Sequence, residues 1–390
     1  MIRMKAWAAV LAALVVASSS ALAAQTDAAA LAETPITLAL VTAGLDHPWA
    51  LQVLPDGRML VSERPGRLRL VTPDGKISAP IAGVPDVMAF GQGGLLDVLL
   101  APDFAASGLI YFSYAEPRGM MSNATAVARA RLTLTADGGA LGPVQVIFRQ
   151  EPAIVSRAHF GSRLVWGRDG SLFITLGERY SQRDSAQDLG TDLGKVVRIM
   201  ADGSVPPDNP FVGQAGKRPE IWSYGHRNSQ GAALHPETGA LWMTEHGAKG
   251  GDELNVVRAG GNYGWPFVTY GTDYDGTPIG QGTSASGIEE PLYYWKPSIA
   301  TSGLAFYDGA LFPAWRGNVL VGGLAGQTLQ RLVLTDGVVS GVEVVLNRAR
   351  ARGVIGDDSM RIRDVRVAPD GSVLVLTDEA NGRLLRITPK

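Results

Sequence analysis

An all-β fold is predicted from three observations. First, a turn bearing Asp or Gly, a short β-branched or apolar strand and a polar break recur along the chain. Second, glycine numbers 48 while charged residues are 18% and hydrophobic ones 46%, a composition that suits a well-packed, turn-rich globule. Third, no long amphipathic helical period and no dividing linker interrupts the 390 residues.

The chain opens with MIRMKAWAAVLAALVVASSSALAA, a basic start (Arg3, Lys5), an apolar run over Ala6–Ala17 and a small-residue stretch, Ala21-Leu22-Ala23. This is the pattern of a bacterial export signal over 1–24, and the apolar run is short of the roughly 18 to 20 residues that span a bilayer. A periplasmic or secreted protein follows, with no membrane span in the mature chain. Residues 25–35 read as a flexible leader. The net charge of −2, which becomes more negative without Arg3 and Lys5, gives no basic footprint for nucleic acid. With no cysteine, thiol chemistry and thiolate-bound zinc are excluded.

From residue 36 onward the recurrent unit appears six times: LPDGRMLVSE (54–63), APDFAASGLIYFSY (101–114), WGRDGSLFITLGE (166–178), HPETGALWMTEHG (235–247), YDGALFPAWRGNVLVGGL (307–324) and APDGSVLVLTDE (368–379). The spacing of roughly 45 to 70 residues is that of one four-stranded propeller blade with its loops. Asp-Gly supplies the turn because glycine accepts positive φ and the Asp side chain bonds its own backbone. GRLRLV (66–71) and GRLLRI (382–387) alternate as half-buried strands do. A lone sheet of this kind cannot bury both faces, so the prediction is a single six-bladed β-propeller of four-stranded antiparallel sheets over 36–390. The strand near Ile36–Val41 would close the ring by pairing into the last blade. A β-sandwich with similar hairpins is the alternative.

Four segments carry residues suited to chemistry at a channel mouth. Gln92 lies in the glycine turn of FGQGGLLDV, and reads as a turn residue or a ligand contact. His159 precedes a strand in RAHFGSRL; a neutral imidazole there is a candidate general base, and a structural histidine is the other reading. The stretch 221–265 holds three of the five histidines, the Arg227-Asn228 pair, the glycine-dense turn Gly247–Gly251 and the doublet Asp252-Glu253. Its carbonyls and carboxylates are the hard oxygens that calcium prefers, or else the acids brace a turn. Asp273-Tyr274-Asp275-Gly276 lacks the glycine and glutamate of a calcium-binding helix–loop–helix. Arg361 and Arg363 alternate on one strand in RIRDV, as for an anionic small ligand or as solvated surface arginines.

Taken together, LDHPWALQVLPDG, GQGGLLDV, HFGSRL, GHRNSQG, TEHGAKGGDELN, NYGWP, WKPSIATSG and RIRDV resemble the soluble PQQ-dependent aldose dehydrogenases, the glucose/sorbosone dehydrogenase family. The resemblance runs from Leu45 to Ile387. It implies that His159 is the catalytic base, that Gln92, Arg227, Asn228, Tyr274, Ser298, Arg361 and Arg363 contact PQQ, and that the Gly247 and Ala248 carbonyls hold the Ca2+ touching the cofactor. It implies that Glu253 and Tyr263 ligate a further, structural calcium. The implied reaction converts an aldose sugar to its lactone, with an external acceptor taking the electrons. Two positions depart from the family pattern: Ala325 stands where a cofactor-contacting lysine is found, and Arg157-Ala158 puts no acid before the histidine. A calcium-dependent propeller lactonase or esterase, and a non-catalytic binding propeller, are the competing functions.

Overall fold

The computed structural model describes residues 28–390, so the proposed export signal lies outside the described residues. Six antiparallel sheets follow one another in sequence. The first comprises Pro48–Val53, Met59–Glu63 and Arg67–Val71. The second has Leu95–Leu100, Leu109–Pro117, Asn123–Leu134 and Gln145–Arg149, and Gly139–Leu141 also pairs with its third strand. Gly161–Trp166, Ser171–Leu176, Lys195–Met200 and Ile221–Tyr224 form the third; Ser229–Leu234, Leu241–Glu245, Asp252–Val257 and Tyr293–Trp295 the fourth. The fifth is Thr301–Phe306, Val319–Gly323, Thr328–Thr335 and Val338–Asn347. Ile362–Val367, Val373–Thr377 and Gly382–Pro389 make the sixth, completed by the N-terminal strand Ile36–Leu45.

The leading strands pack side by side in a closed ring, the sixth returning to the first. This is a six-bladed propeller, and each sequence repeat marks the turn into, and the body of, one blade's second strand. Closure follows the expected route: Ile36 pairs with Pro389 and Leu45 with Gly382, so the last blade combines both ends of the domain. The first blade departs from four strands. Its outer edge is reduced to a single bridge between Val71 and Ile77, and Pro80 just beyond lacks the N–H that a continued ladder needs.

Residues 28–35, part of the leader read at 25–35, run beside the fifth blade. Ala29 and Ala30 run parallel to Gly341 and Val342 on the edge of the fifth blade, and Arg350 donates to Thr34 O at 2.7 Å. Alanines are small enough to lie flat there and satisfy an otherwise unpaired strand edge.

Alternating apolar residues on each sheet face a neighbour, and the buried side chains accordingly form one cluster between each adjacent pair of blades. Leu51 and Leu376, both fully buried, join the last blade to the first; truncating such a leucine to alanine costs about 2 to 5 kcal/mol. The axis is polar. Arg163 hydrogen-bonds Asp97 at 3.0 Å and forms an ion pair with Asp364 at 3.1 Å, Arg366 bonds Asp364 at 3.0 Å, and the Trp49 ring lies 4.5 Å from the Arg163 guanidinium. These charges tie leading strands from three blades together.

Candidate active site

Because the leading strands run in the same sense around the ring, residues just before them gather at one mouth, together with residues just after the second strands. Hydrogen bonds between those loops demonstrate the convergence: His159 N to Gln92 Oε1 at 2.8 Å, Gly161 N to Asn228 Oδ1 at 3.1 Å, and His246 Nε2 to Thr301 O at 2.6 Å.

His159 is 5% exposed and has φ of +52°, a strained value for a residue with a side chain. Its Nδ1 lies 2.8 Å from Glu178 Oε2, and the Tyr180 ring meets the imidazole edge-on at 5.3 Å. A carboxylate only accepts, so Nδ1 carries the proton and Nε2 keeps its lone pair. Burial pushes the imidazole pKa down, opposed by Glu178 and reinforced by Arg227 and Arg179. Gly177 makes room for this geometry: a Cβ there would stand 2.1 Å from His159 O.

Arg227 is 4% exposed; its Nη1 donates to Gly247 O at 2.6 Å and its guanidinium carbon lies 5.2 Å from the Trp265 ring centre. Its Nε is buried without a partner among the described residues. Asn228 is fully buried and uses its amide at both ends, to Gly161 N and to His246 Nδ1 at 3.3 Å. His246 donates to Thr301 O, and its pKa is pushed down to about 3 by burial first, then by Arg227 and His159.

The Gly247–Ala248 turn is braced from below. Asp252 accepts from Gly247 N at 2.9 Å, from Ile299 N at 2.9 Å and from Ser298 Oγ at 2.8 Å. Asp252 is thus a turn brace, and Ser298 spends its hydroxyl on that brace. Arg227, Ala248, Tyr274, Trp265, Glu178 and Tyr180 line one cleft of about 250 Å³. Tyr274 is 56% exposed at its edge.

Beside that cleft, Glu253 stands opposite Glu245 across a hairpin, in a small cavity that Tyr263 also lines. Burial, reinforced by Glu245, holds the Glu253 carboxyl well above the usual range. Asn255 donates to both glutamates, and its Oδ1 has no partner among the described residues. Two facing carboxyl groups in one small cavity are the hard oxygens a cation prefers. The Tyr263 hydroxyl is occupied by Val256 O and Arg258 N, so the oxygen it can offer a metal is its main-chain carbonyl.

Arg361 and Arg363 are not a matched pair. A β-bulge between Ile362 and Asp364 breaks the alternation. Arg361 is exposed, with no acid on its guanidinium among the described residues, whereas Arg363 is 6% exposed and ion-paired with Asp378. Asp378 comes from the neighbouring strand, which is why the spacing of arginines along one strand did not reveal it. Gln230 Oε1 accepts from Arg363 at 2.5 Å, and Arg363 Nε is buried with no partner among the described residues. Ala325 is exposed and contributes no charge.

Sequence reasoning missed Glu178, Asp378, Trp265 and Asn255. A signal existed for the first two: Glu63, Glu178, Glu245 and Asp378 all close a second strand, the end that faces the mouth.

The glucose/sorbosone dehydrogenase family model matches residues 45–386. The aldose sugar dehydrogenase YliI of Escherichia coli (strain K12) is 46% identical over 349 residues, covering 89% of this chain and 91% of its own length. A crystal structure of a glucose dehydrogenase is 51% identical with a TM-score of 0.84, covering 90% of this chain and 99% of that one. The PQQ-bound aldose sugar dehydrogenase of Streptomyces coelicolor is 28% identical with a TM-score of 0.74, over 92% and 99% of the two chains. The family model spans nearly the whole propeller, and the chain therefore belongs to the glucose/sorbosone dehydrogenase family.

Proposed function

We propose that this aldose dehydrogenase oxidises the anomeric carbon of aldoses to lactones, with His159 as general base, PQQ as hydride acceptor and Ca2+ as Lewis acid. The observation that carries this reading is the His159–Glu178 pair, which leaves Nε2 unprotonated and, among the described residues, without a partner, beside a cleft lined by Arg227.

The residues fit both groups. A tricarboxylate needs unspent guanidinium donors, and among the described residues Arg227 Nε and Arg363 Nε are buried without partners while Arg361 stands exposed and unpaired by any acid. Gln92, Asn228, Tyr274 and Ser298 would frame the cofactor. The Gly247 carbonyl spends one lone pair on Arg227 and keeps a second, so with Ala248 O it would offer a cation two neutral oxygens. Glu253 and the Tyr263 carbonyl would hold a second, structural calcium. When bound, the calcium-polarised quinone supplies the electrophile that accepts hydride.

The chain's own contribution is positional and protic. Nε2 of His159 takes the proton of the anomeric hydroxyl, and Glu178 stabilises the imidazolium that results. Gln92 fixes the peptide of His159, so base and substrate keep their relative placement. The Trp265 and Tyr180 rings line that side of the cleft.

The apolar N-terminus supports export, and no helix among the described residues is long and apolar enough to cross a membrane. Reconstitution with calcium and PQQ, followed by dye reduction across a panel of aldoses, tests the reading. Sugar-dependent turnover is expected; none with any aldose overturns it.

A further inference from the structure

On the rim beside His159, four apolar side chains are open to solvent: Phe90 at 52%, Met121 at 62%, Val155 at 65% and Met120 at 100%. Together with Met88, Ser156 and Arg157 they line one groove of about 420 Å³. Sequence explains their assembly. Phe90 precedes the glycine turn of Gln92, Met120 and Met121 cap the hairpin between Leu109–Pro117 and Asn123–Leu134, and Val155 leads into His159. Solvated apolar side chains gathered in this way mark a binding surface.

We propose that this groove docks a small apolar quinone, the acceptor that collects the electrons of sugar oxidation. The inference rests on the proposed dehydrogenase reaction.

Three observations select that occupant. The groove is tied to the proposed base through two hydrogen bonds: Arg157 O accepts from Gln92 N at 2.8 Å, and Gln92 Oε1 accepts from His159 N at 2.8 Å. Its floor is fixed, since Asn123 Nδ2 donates to Ser156 O at 2.9 Å and lies 3.2 Å from the Met88 sulfur, while its lip is two methionines able to mould to a flat ring. Its charge is a single one, the exposed Arg157, whose guanidinium pairs with no acid among the described residues. That cation suits a carbonyl oxygen that gains negative charge on reduction. A sugar would leave its hydroxyls without partners against these walls. The volume falls at the small end of ligand pockets, which suits one substituted ring. In the reaction the docked quinone gains two electrons and two protons, its two carbonyls becoming hydroxyls, as the reduced cofactor returns to its oxidised form.

The test uses 2,3-dimethoxy-5-methyl-1,4-benzoquinone. Calorimetric titration of the PQQ-free protein should show binding that weakens about tenfold in Phe90→Ser and in the Met120→Ser/Met121→Ser double variant, and that survives in Met121→Leu. In the reconstituted enzyme the same polar variants should raise KM for the quinone about tenfold, leaving KM for sugar and the rate with ferricyanide unchanged. Equal quinone binding by all variants overturns the proposal. So does a parallel rise in sugar KM, which assigns the groove to the substrate, or an absence of quinone binding, which leaves it to a protein partner. Should reconstitution yield no sugar oxidation, the dehydrogenase reading fails while the titration still decides whether the groove binds a quinone.

Discussion

Glu178 Oε2 lies 2.8 Å from His159 Nδ1 and also accepts the backbone N–H of Tyr180, so one carboxylate sets both the tautomer of the imidazole and the path of the loop beyond it. Glu178→Gln keeps the shape but can present its amide N–H to Nδ1, favouring the wrong tautomer. A loss of about 100-fold in kcat with KM for sugar nearly unchanged is expected. His159→Ala should remove most turnover while PQQ still binds, as followed by its absorbance.

In the proposed mechanism the neutral form of His159 is the active one. Burial lowers its pKa, so the acid limb of kcat/KM should fall below the ordinary histidine value of about 6.5. Glu178 pulls in the opposite direction, and Glu178→Gln should move the limb further to acid. A pH profile of both proteins checks the sign.

His246 gives a stability counterpart. With its pKa pushed down to about 3, folded and unfolded states bind the same protons above about pH 6.5, and the unfolded state binds more as pH falls towards 3. The native protein therefore loses stability from this group over that window, by about 2 kcal/mol between pH 6.5 and 4.5. His246→Gln lacks the effect, so its deficit relative to the native protein at pH 7 should shrink on acidification, as measured by urea unfolding.

Glu253 and Glu245 repel each other in the absence of a cation. Calcium should raise Tm and chelation lower it. Glu253→Gln should abolish the calcium response and leave the metal-free protein as stable or more so; a destabilised metal-free variant with an intact calcium response would refute the site.

The two arginines of RIRDV should separate by assay. Arg361→Ala removes an exposed cation and should weaken PQQ binding about tenfold with Tm unchanged. Arg363→Ala takes from Asp378 one of the two guanidinium groups that hold its carboxyl well below the usual range, leaving it Arg64 and His47, and should lower Tm.

The blade repeat, the closing strand at Ile36 and the order of motifs along the chain were legible because turn chemistry and strand period are local properties. A turn needs its Asp-Gly and a blade strand needs its alternation wherever they occur. Local pattern could not decide which partner each polar residue takes. Arg363 read as half of an anion-binding pair until Asp378 appeared across the ladder; Ser298 and Asp252 proved to bond each other beneath the Gly247 turn; Glu178 reached His159 from 19 residues away. The segment 28–35 carries no packing signal of its own and is ordered because the fifth blade offers an edge. The sequence by itself determined the six blades and the residue types at their mouth. Only the tertiary structure decided which donors are spent and which remain open, because ring closure brings distant loops within hydrogen-bonding distance and no spacing along the chain encodes that contact.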